Sequence, residues 1–302
     1  MPKLTLFTPS YNRAHTLPRL FESLCRQTSK EFEWILIDDG SSDETESLAQ
    51  KFQQTAAGFP MIFLRTENGG KHRAINRAVE MARGEFFFIV DSDDYLTNNA
   101  VELVHTWLLE IGECFAGVSG RKIKSRTAHG GGPLPAFGGQ AYIDMTNQER
   151  NARGLTQDMA EVYRTSLLRR FPFPELEGET FIPESIVWDA IASEGHPLRW
   201  YDQPIYRFET QDGGLSRSWN ELLLRNPRGY GLLVNREMQW QRMNLRFRMS
   251  ERSHYYRQMR ERYTFWEICG FLQIQAPTLF FALALTFPRV VAQRTFSKIL
   301  KK

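Results

Sequence analysis

The stretch "ENGGKHRAINRAVEMARGEFFFIVDSDD", Glu67 to Asp94, decides the fold. Ala74, Ile75, Ala78, Val79 and Ala82 recur at helical intervals, so Lys71 to Arg83 predicts a helix with one apolar stripe. Gly84 ends it. Phe86 to Val90 then form an unbroken apolar run. A strand of a parallel sheet, covered on both faces, reads this way. The run stops at Asp91-Ser92-Asp93-Asp94, three carboxylates in four residues.

Working outward, the same unit repeats. "KLTLF" alternates and stops at "TPSYNR", a turn with Pro9 and Asn12. "TLPRLFESLCRQ" places Leu17, Leu20, Phe21, Leu24 and Cys25 on one helical face, with Thr16 as N-cap and Pro18 in the first turn. "FEWILI" is a second strand, ending at Asp38-Asp39-Gly40, and "SSDETESLAQKFQQ" a second helix. "MIFLRT" is a third strand. This alternation predicts an α/β domain, a mostly parallel sheet sandwiched by helices. Such sheets bind ligands outside the carboxyl ends of their strands. Pro9 to Asn12, Asp38-Asp39, Gly69 to Lys71 and Asp91 to Asp94 all follow strand ends and are expected to share one edge.

Past Asp94 the reading is a helix "NAVELVHTWLLEI", a strand "FAGVSGRKI", a Gly/Pro loop, a helix "PESIVWDAIASEG" and a strand "RWYDQPIYRFE". From about Leu215 the chain turns rich in Arg, Asn, Tyr, Trp and Met and reads as helical. The division expected is a catalytic domain over 1–215 and a helical C-terminal extension over 216–302. The apolar run Ala276 to Phe287 is shorter than the roughly 20 residues of a spanning helix. Arg289, Arg294, Lys298, Lys301 and Lys302 follow it. Residues 265–302 therefore suit either peripheral contact with an anionic membrane or helices packed on the catalytic domain.

A net charge of +3 makes no case for nucleic acid. The three cysteines show neither a disulfide framework nor metal spacing, and the six histidines show no metal spacing either. A reducing compartment follows. The apolar start is too short for a signal peptide, so a cytoplasmic location is expected.

Clustered carboxylates at a strand end are costly unless a cation neutralises them. Hard oxygen ligands select Mg²⁺ or Mn²⁺, held by one or two carboxylates plus substrate phosphates. Asp91, Asp93 and Asp94 thus predict a metal bound together with a diphosphate; a solvated, helix-capping turn is the plainer alternative. Lys71 and Arg73, at the start of a helix, suit phosphate.

Taken together, "TPSYNR", "ILIDDGSSDET" and the Glu67–Asp94 stretch, in this order, resemble the family 2 glycosyltransferases. The resemblance is strongest over residues 1 to 100. It extends to about 220 through "FPFPELEGETFIPESIVWDAIA" and "DGGLSRS". It implies the GT-A fold, a nucleotide-sugar donor and inversion at the anomeric carbon. Pro9 and Tyr11 would flank the nucleotide base, with Asn12, Arg13, Gly70, Lys71 and Asn76 in the nucleotide site. Asp39 would accept a hydrogen bond from the base, which suits the imide N–H of uracil or thymine and favours a UDP or dTDP donor. Asp91-Ser92-Asp93 matches the family's D-x-D element: Asp91 near ribose or metal, Ser92 beside the nucleotide, Asp93 on the metal. Asp94 would orient the donor sugar or assist the metal, and Arg73 and Arg217 would face the diphosphate. The family's Glu-Asp pair, followed four residues on by Trp, is matched by "PESIVW". Glu184 is therefore the candidate general base, with Pro183-Glu184 standing where Glu-Asp is usual, and with Glu179 and Asp189 as rivals. Trp188 is either an acceptor platform or a core residue. The acceptor implied is a glycan or lipid-linked sugar of a cell-surface pathway. A nucleotidyltransferase would carry a Gly-rich loop after the first strand, and "FTPSYNRAHTL" has none. A glycoside hydrolase would need no diphosphate site. A nucleotide-sugar-binding subunit without catalysis would not need the acidic cluster.

Overall fold

Strand β1 (Leu4–Ser10) is buried along its whole length, as a central parallel strand must be. It lies between β2 (Phe32–Asp38) and β4 (Phe86–Ile89), parallel to both, with Leu4 opposite Phe32 and Phe86. β3 (Met61–Arg65) extends this parallel run beyond β2. These elements come from a computed structural model that describes residues 3–56, 58–125, 134–209, 219–240 and 245–286.

Alternation along each strand supplies two faces. Leu4, Leu6, Trp34, Leu36, Phe86 and Phe88 share one core with helices α1 (Leu17–Cys25), α2 (Thr45–Thr55) and α4 (Ala100–Leu109). Phe7 and Phe87 point the other way and stack at 5.5 Å. On that face α3 (Lys71–Met81) packs against β1 and β2. Every helix and strand expected up to Val90 is present.

The rest of the sheet departs from the simple alternation. β5 is Tyr95–Leu96, β6 Gly117–Lys124, β7 Tyr142–Met145, β8 Met159–Arg164 and β9 Leu198–Phe208. Helices α5 (Thr165–Arg170) and α6 (Ser185–Ser193) separate β8 from β9. The order is β3-β2-β1-β4-β8-β6-β9-β5, with β7 also on β9. β8 runs antiparallel between β4 and β6, while β9 is parallel to β6. Sequence periodicity missed β5, β7, β8 and α5. In β8 the polar Glu161 and Arg164 interrupt the apolar pattern. Tertiary partners make them acceptable there: Arg150 lies 3.1 Å from Glu161, and Arg164 bonds Glu85 at 2.7 Å.

The chain groups into two compact units. The first comprises residues 1–175 and 187–214 and holds the sheet. The second joins residues 176–186 to 215–302. It contains α7 (Trp219–Arg225), α8 (Pro227–Trp240), α9 (Leu245–Met259), α10 (Phe265–Phe271) and α11 (Ala276–Thr286). Tyr255, Met259, Ile268, Leu272 and Leu279 form its own core. Thr264 and Glu267 make a reciprocal cap at the start of α10. The 176–186 segment is tied to α8 by two side chains. Asn226 Oδ1 accepts the Thr180 and Phe181 N–H groups at 2.8 and 3.1 Å. Glu179 accepts those of Arg228 and Gly229 at 2.7 and 2.8 Å, a carboxylate at a helix N-terminus. Among the described residues no single helix is long and apolar enough to cross a membrane; α10 and α11, bent by 103°, reach that length and composition only together.

Candidate active site

Four loops follow the carboxyl ends of β1, β2, β3 and β4, and hydrogen bonds stitch each to the next. After β1, Asn12 takes a left-handed φ of 54°, a conformation Asn tolerates. Its N–H donates to Ser41 Oγ and its Oδ1 accepts the Ser42 N–H, both at 2.8 Å. The β1 loop is thereby fastened to the β2 loop. Arg13 N–H reaches Thr45 Oγ1 at 3.2 Å and adds a second tie. Tyr11 stands half exposed above a buried Pro9.

Asp38 is fully buried and serves the loop itself: its Oδ1 accepts from both the N–H and the hydroxyl of Ser41. Asp39 does the next join. Its two oxygens accept the Gly69 and Gly70 N–H groups, each at 2.8 Å. Burial holds its carboxyl above the usual range, with the two glycine N–H groups opposing. The Thr66 side chain is a further donor to this carboxylate. Gly40 between the β2 end and the helix has φ 79°, and a Cβ there would sit 2.9 Å from Asn68 N. Only glycine lets the two loops approach this closely.

The last join crosses to β4. Lys71 Nζ meets Asp91 Oδ1 at 2.5 Å. Burial opposes charge on Asp91, but the Lys71 and Lys122 ammonium groups hold it below the usual carboxylate range. Burial, then the Asp91 and Asp93 carboxylates, push Asp94 up to about 7. Asp94 is 8% exposed, with Tyr206 donating to Oδ2 at 2.9 Å and the Glu209 N–H to Oδ1 at 3.2 Å. Asp93 and Asp91 are half-buried, and Ser92 is buried. A separate hollow of about 460 Å³ is lined by Gln140 to Asp144 and Arg153 and contains none of these groups.

The structure thus brings together Pro9, Tyr11, Asn12, Arg13, Asp39, Gly70, Lys71, Asp91, Ser92, Asp93 and Asp94. Arg73 starts the same helix, bonding the Gly69 carbonyl at 2.5 Å and lying 3.6 Å from Glu175. Asn76 faces elsewhere: its amide donates to the Phe173 carbonyl and Glu175, and accepts the Phe173 N–H at 2.9 Å. Trp188 is a core residue, stacked on Tyr163 at 4.3 Å. Glu184 belongs to the second unit, and is half-buried. Glu179, its rival, is buried and committed to capping α8. Asp189 lies in α6, where Asn147 bonds it at 3.4 Å. Arg217 lies outside the described residues. Sequence reasoning passed over Arg19, Tyr206, Glu209 and Lys122. Nothing local marks them, because they reach the acidic turn from α1, β9 and β6.

The family described as Glycosyl transferase family 2 matches residues 5–176. The chain belongs to glycosyl transferase family 2. Over 212 residues this glycosyltransferase is 26% identical to the GalNAc(5)-diNAcBac-PP-undecaprenol beta-1,3-glucosyltransferase of Campylobacter jejuni, covering 70% of this chain and 67% of that protein. It is 33% identical over 104 residues to the poly(ribitol-phosphate) beta-N-acetylglucosaminyltransferase TarS of Staphylococcus aureus; that match spans 34% of this chain but 18% of the longer relative. Solved structures share the fold. TarS residues 1–349 in complex with UDP-GlcNAc superimpose with a TM-score of 0.59 at 18% identity, covering 94% of this chain and 88% of that one. A mannosyltransferase from Pyrobaculum calidifontis, in complex with GDP-Man and Mn²⁺, gives 0.54 at 19% identity, covering 99% and 78%. The family 2 enzyme described here therefore has the GT-A architecture, a mostly parallel sheet flanked by helices, with C-terminal helices following it.

Proposed function

We propose that this glycosyltransferase moves a sugar from a UDP or dTDP donor to an acceptor hydroxyl with inversion at the anomeric carbon. The observation that carries the reading is the stitched edge itself. Asn12–Ser41, Asp39–Gly69/Gly70 and Lys71–Asp91 join four strand-end loops into one polar floor, where ligands of open α/β sheets bind. The TarS complex with UDP-GlcNAc and the Pyrobaculum complex with GDP-Man and Mn²⁺ support a nucleotide sugar and a divalent ion for this fold. Within the pair, a carboxylate acceptor at Asp39 favours the imide N–H of uracil or thymine.

Asp91 and Asp93 suit Mg²⁺ or Mn²⁺. They are hard oxygen donors in one turn, and Lys71 keeps Asp91 ionised. An ion held by these two carboxylates would be completed by substrate phosphates. Such an ion would stabilise the negative charge of the departing diphosphate. The chain's own residues do the rest. Tyr11 and Pro9 hold the base, and Lys71, Arg73 and Arg217 neutralise phosphate oxygens. Glu184 takes the proton of the acceptor hydroxyl as that hydroxyl's oxygen bonds the anomeric carbon and the bond to the diphosphate breaks. Glu184 is preferred to Glu179, whose carboxylate already accepts three donors around the α8 terminus.

The acceptor in this reading is a lipid-linked or cell-surface glycan, as the Campylobacter relative's name indicates for that enzyme. The enzyme would work in the cytoplasm, peripheral to the membrane's inner face, with residues 265–302 as the contact. Turnover of UDP and dTDP sugars with and without Mn²⁺ tests the reading. Asp93→Ala and Glu184→Gln should each lower transfer about 100-fold or more while circular dichroism stays unchanged. Full activity of Glu184→Gln rejects it as the base.

A further inference from the structure

The turn Asp91–Asp94 is held from two sides by residues far along the chain. From β9, the Tyr206 hydroxyl accepts the Asp91 N–H at 2.9 Å and donates to Asp94 Oδ2 at 2.9 Å. One hydroxyl thus bridges the first and last residues of the turn. Just past β9, the Glu209 N–H donates to the other Asp94 oxygen at 3.2 Å. From α1, the Arg19 guanidinium donates to the Asp93 carbonyl at 2.6 Å, pairs with Glu209 at 2.6 Å and lies over the Tyr95 ring at 4.8 Å. The turn closes on itself through the Asp94 N–H and the Asp91 carbonyl at 3.1 Å.

The Tyr206 ring is itself fixed. It is fully buried, tilted against Phe88 at 6.2 Å, with Lys122 Nζ 4.7 Å from its centre. Lys122 is anchored in turn on Asp158 at 2.8 Å. The hydroxyl accepts from the Asp91 N–H and donates to Asp94. A buried hydroxyl with both a donor and an acceptor filled has one orientation. The peptide that carries Asp91, and the carboxyl that follows Asp93, inherit it.

We propose that Tyr206 is a positioning residue for the metal turn: it sets the direction in which Asp91 and Asp93 present their carboxylates, with Arg19 as the opposing clamp. Tyr206 touches neither donor nor metal in this role. It acts as the outer partners of metal ligands do, where loss commonly costs about 10- to 100-fold in metal affinity. The inference rests on the metal reading given above.

The test titrates Mn²⁺ into the full-length chain by electron paramagnetic resonance, with UDP present, and separately measures UDP binding without metal. Tyr206→Phe keeps the ring and removes the bridge. Its Mn²⁺ affinity should fall about 10-fold or more, while metal-free UDP affinity stays within about twofold. The Mn²⁺ concentration for half-maximal turnover should rise by the same factor, with kcat recovering at saturating Mn²⁺. Unchanged Mn²⁺ affinity, or equal loss of Mn²⁺ and UDP binding, overturns the inference. Should Tyr206→Phe fail to fold, Arg19→Met cuts the opposing clamp, and the same split is expected and the same two results overturn it. If the unaltered chain binds no Mn²⁺, the metal reading falls first and this inference with it, an outcome distinct from a variant that binds normally.

Discussion

His72 shows how much one residue's surroundings matter. It follows Lys71, the partner of Asp91, in the first turn of α3, yet it is 2% exposed and neither ring nitrogen has a hydrogen-bond partner among the described residues. Burial, then the neighbouring Arg73 charge, bring it down to about 4, with Glu175 opposing. The unfolded chain binds that proton near 6.5. Between these values the unfolded state holds more protons, so His72 subtracts stability as pH falls from about 6.5 to 4. The loss is complete below that, about 3 kcal/mol at most. His72→Leu should therefore gain on the unaltered chain as pH drops through this window. Urea midpoints at pH 7, 5.5 and 4 measure it, and a constant difference between the two chains would reject the argument. Sequence alone showed only that the histidines lack metal spacing; which one is buried was not legible, because a helix position says nothing of what covers it. The acidic residues were more legible. Asp39 and Asp91 to Asp94 stand out as charge directly after apolar strands, and their environments were the part left to tertiary contacts.

At the scale of elements, Gly84 joins α3 to β4 where three segments cross. A Cβ there would lie 2.5 Å from Thr5 N and 2.7 Å from the Leu4 carbonyl carbon. The buried Glu33 accepts the Thr5 hydroxyl at 2.7 Å, the Arg83 N–H at 2.6 Å and the Gly84 N–H at 3.3 Å, and Thr165 bonds the Gly84 carbonyl at 2.7 Å. Backbone atoms cannot swing aside as a side-chain tip can. Gly84→Ala is expected to destabilise by about 3 kcal/mol, read as a lower denaturation midpoint; an unchanged midpoint would remove the crossing from the account. Sequence reading of this crossing stopped at "the helix ends". The elements before Val90 were legible because each repeats one period over a full length. β5, with two residues, and β7, with four, are too short to show a period. β8 carries charged residues whose partners, Arg150 and Glu85, lie outside the strand itself.

At the scale of the whole molecule, the second unit presents an uncommon surface. α11 carries no charge from Ala276 to Thr286. Its Leu279, Ala282 and Leu283 are buried, while Phe281 and Leu285 are exposed at 50% and 47%. Trp266 on α10 is 61% exposed. A helix apolar all round, followed in sequence by Arg289, Arg294, Lys298, Lys301 and Lys302, suits an anionic bilayer. The expected outcome is co-sedimentation with phosphatidylglycerol vesicles that weakens at high salt and falls several-fold in Trp266→Ser/Phe281→Ser. Equal binding to neutral vesicles, or no loss in the double variant, would sink the membrane role.

Periodicity and strand-end charge, both local properties, determined by themselves the α/β class, the parallel half of the sheet and the edge where the polar clusters meet. Tertiary structure alone decided the antiparallel β8, the grouping of residues 176–186 with the C-terminal helices, and the clamp of Arg19 and Tyr206 on the acidic turn. The physical reason is range. Burial patterns repeat within a few residues and leave their mark in the sequence. A hydroxyl on β9 that bridges Asp91 to Asp94 is a pairing across more than a hundred residues, and no local pattern records it.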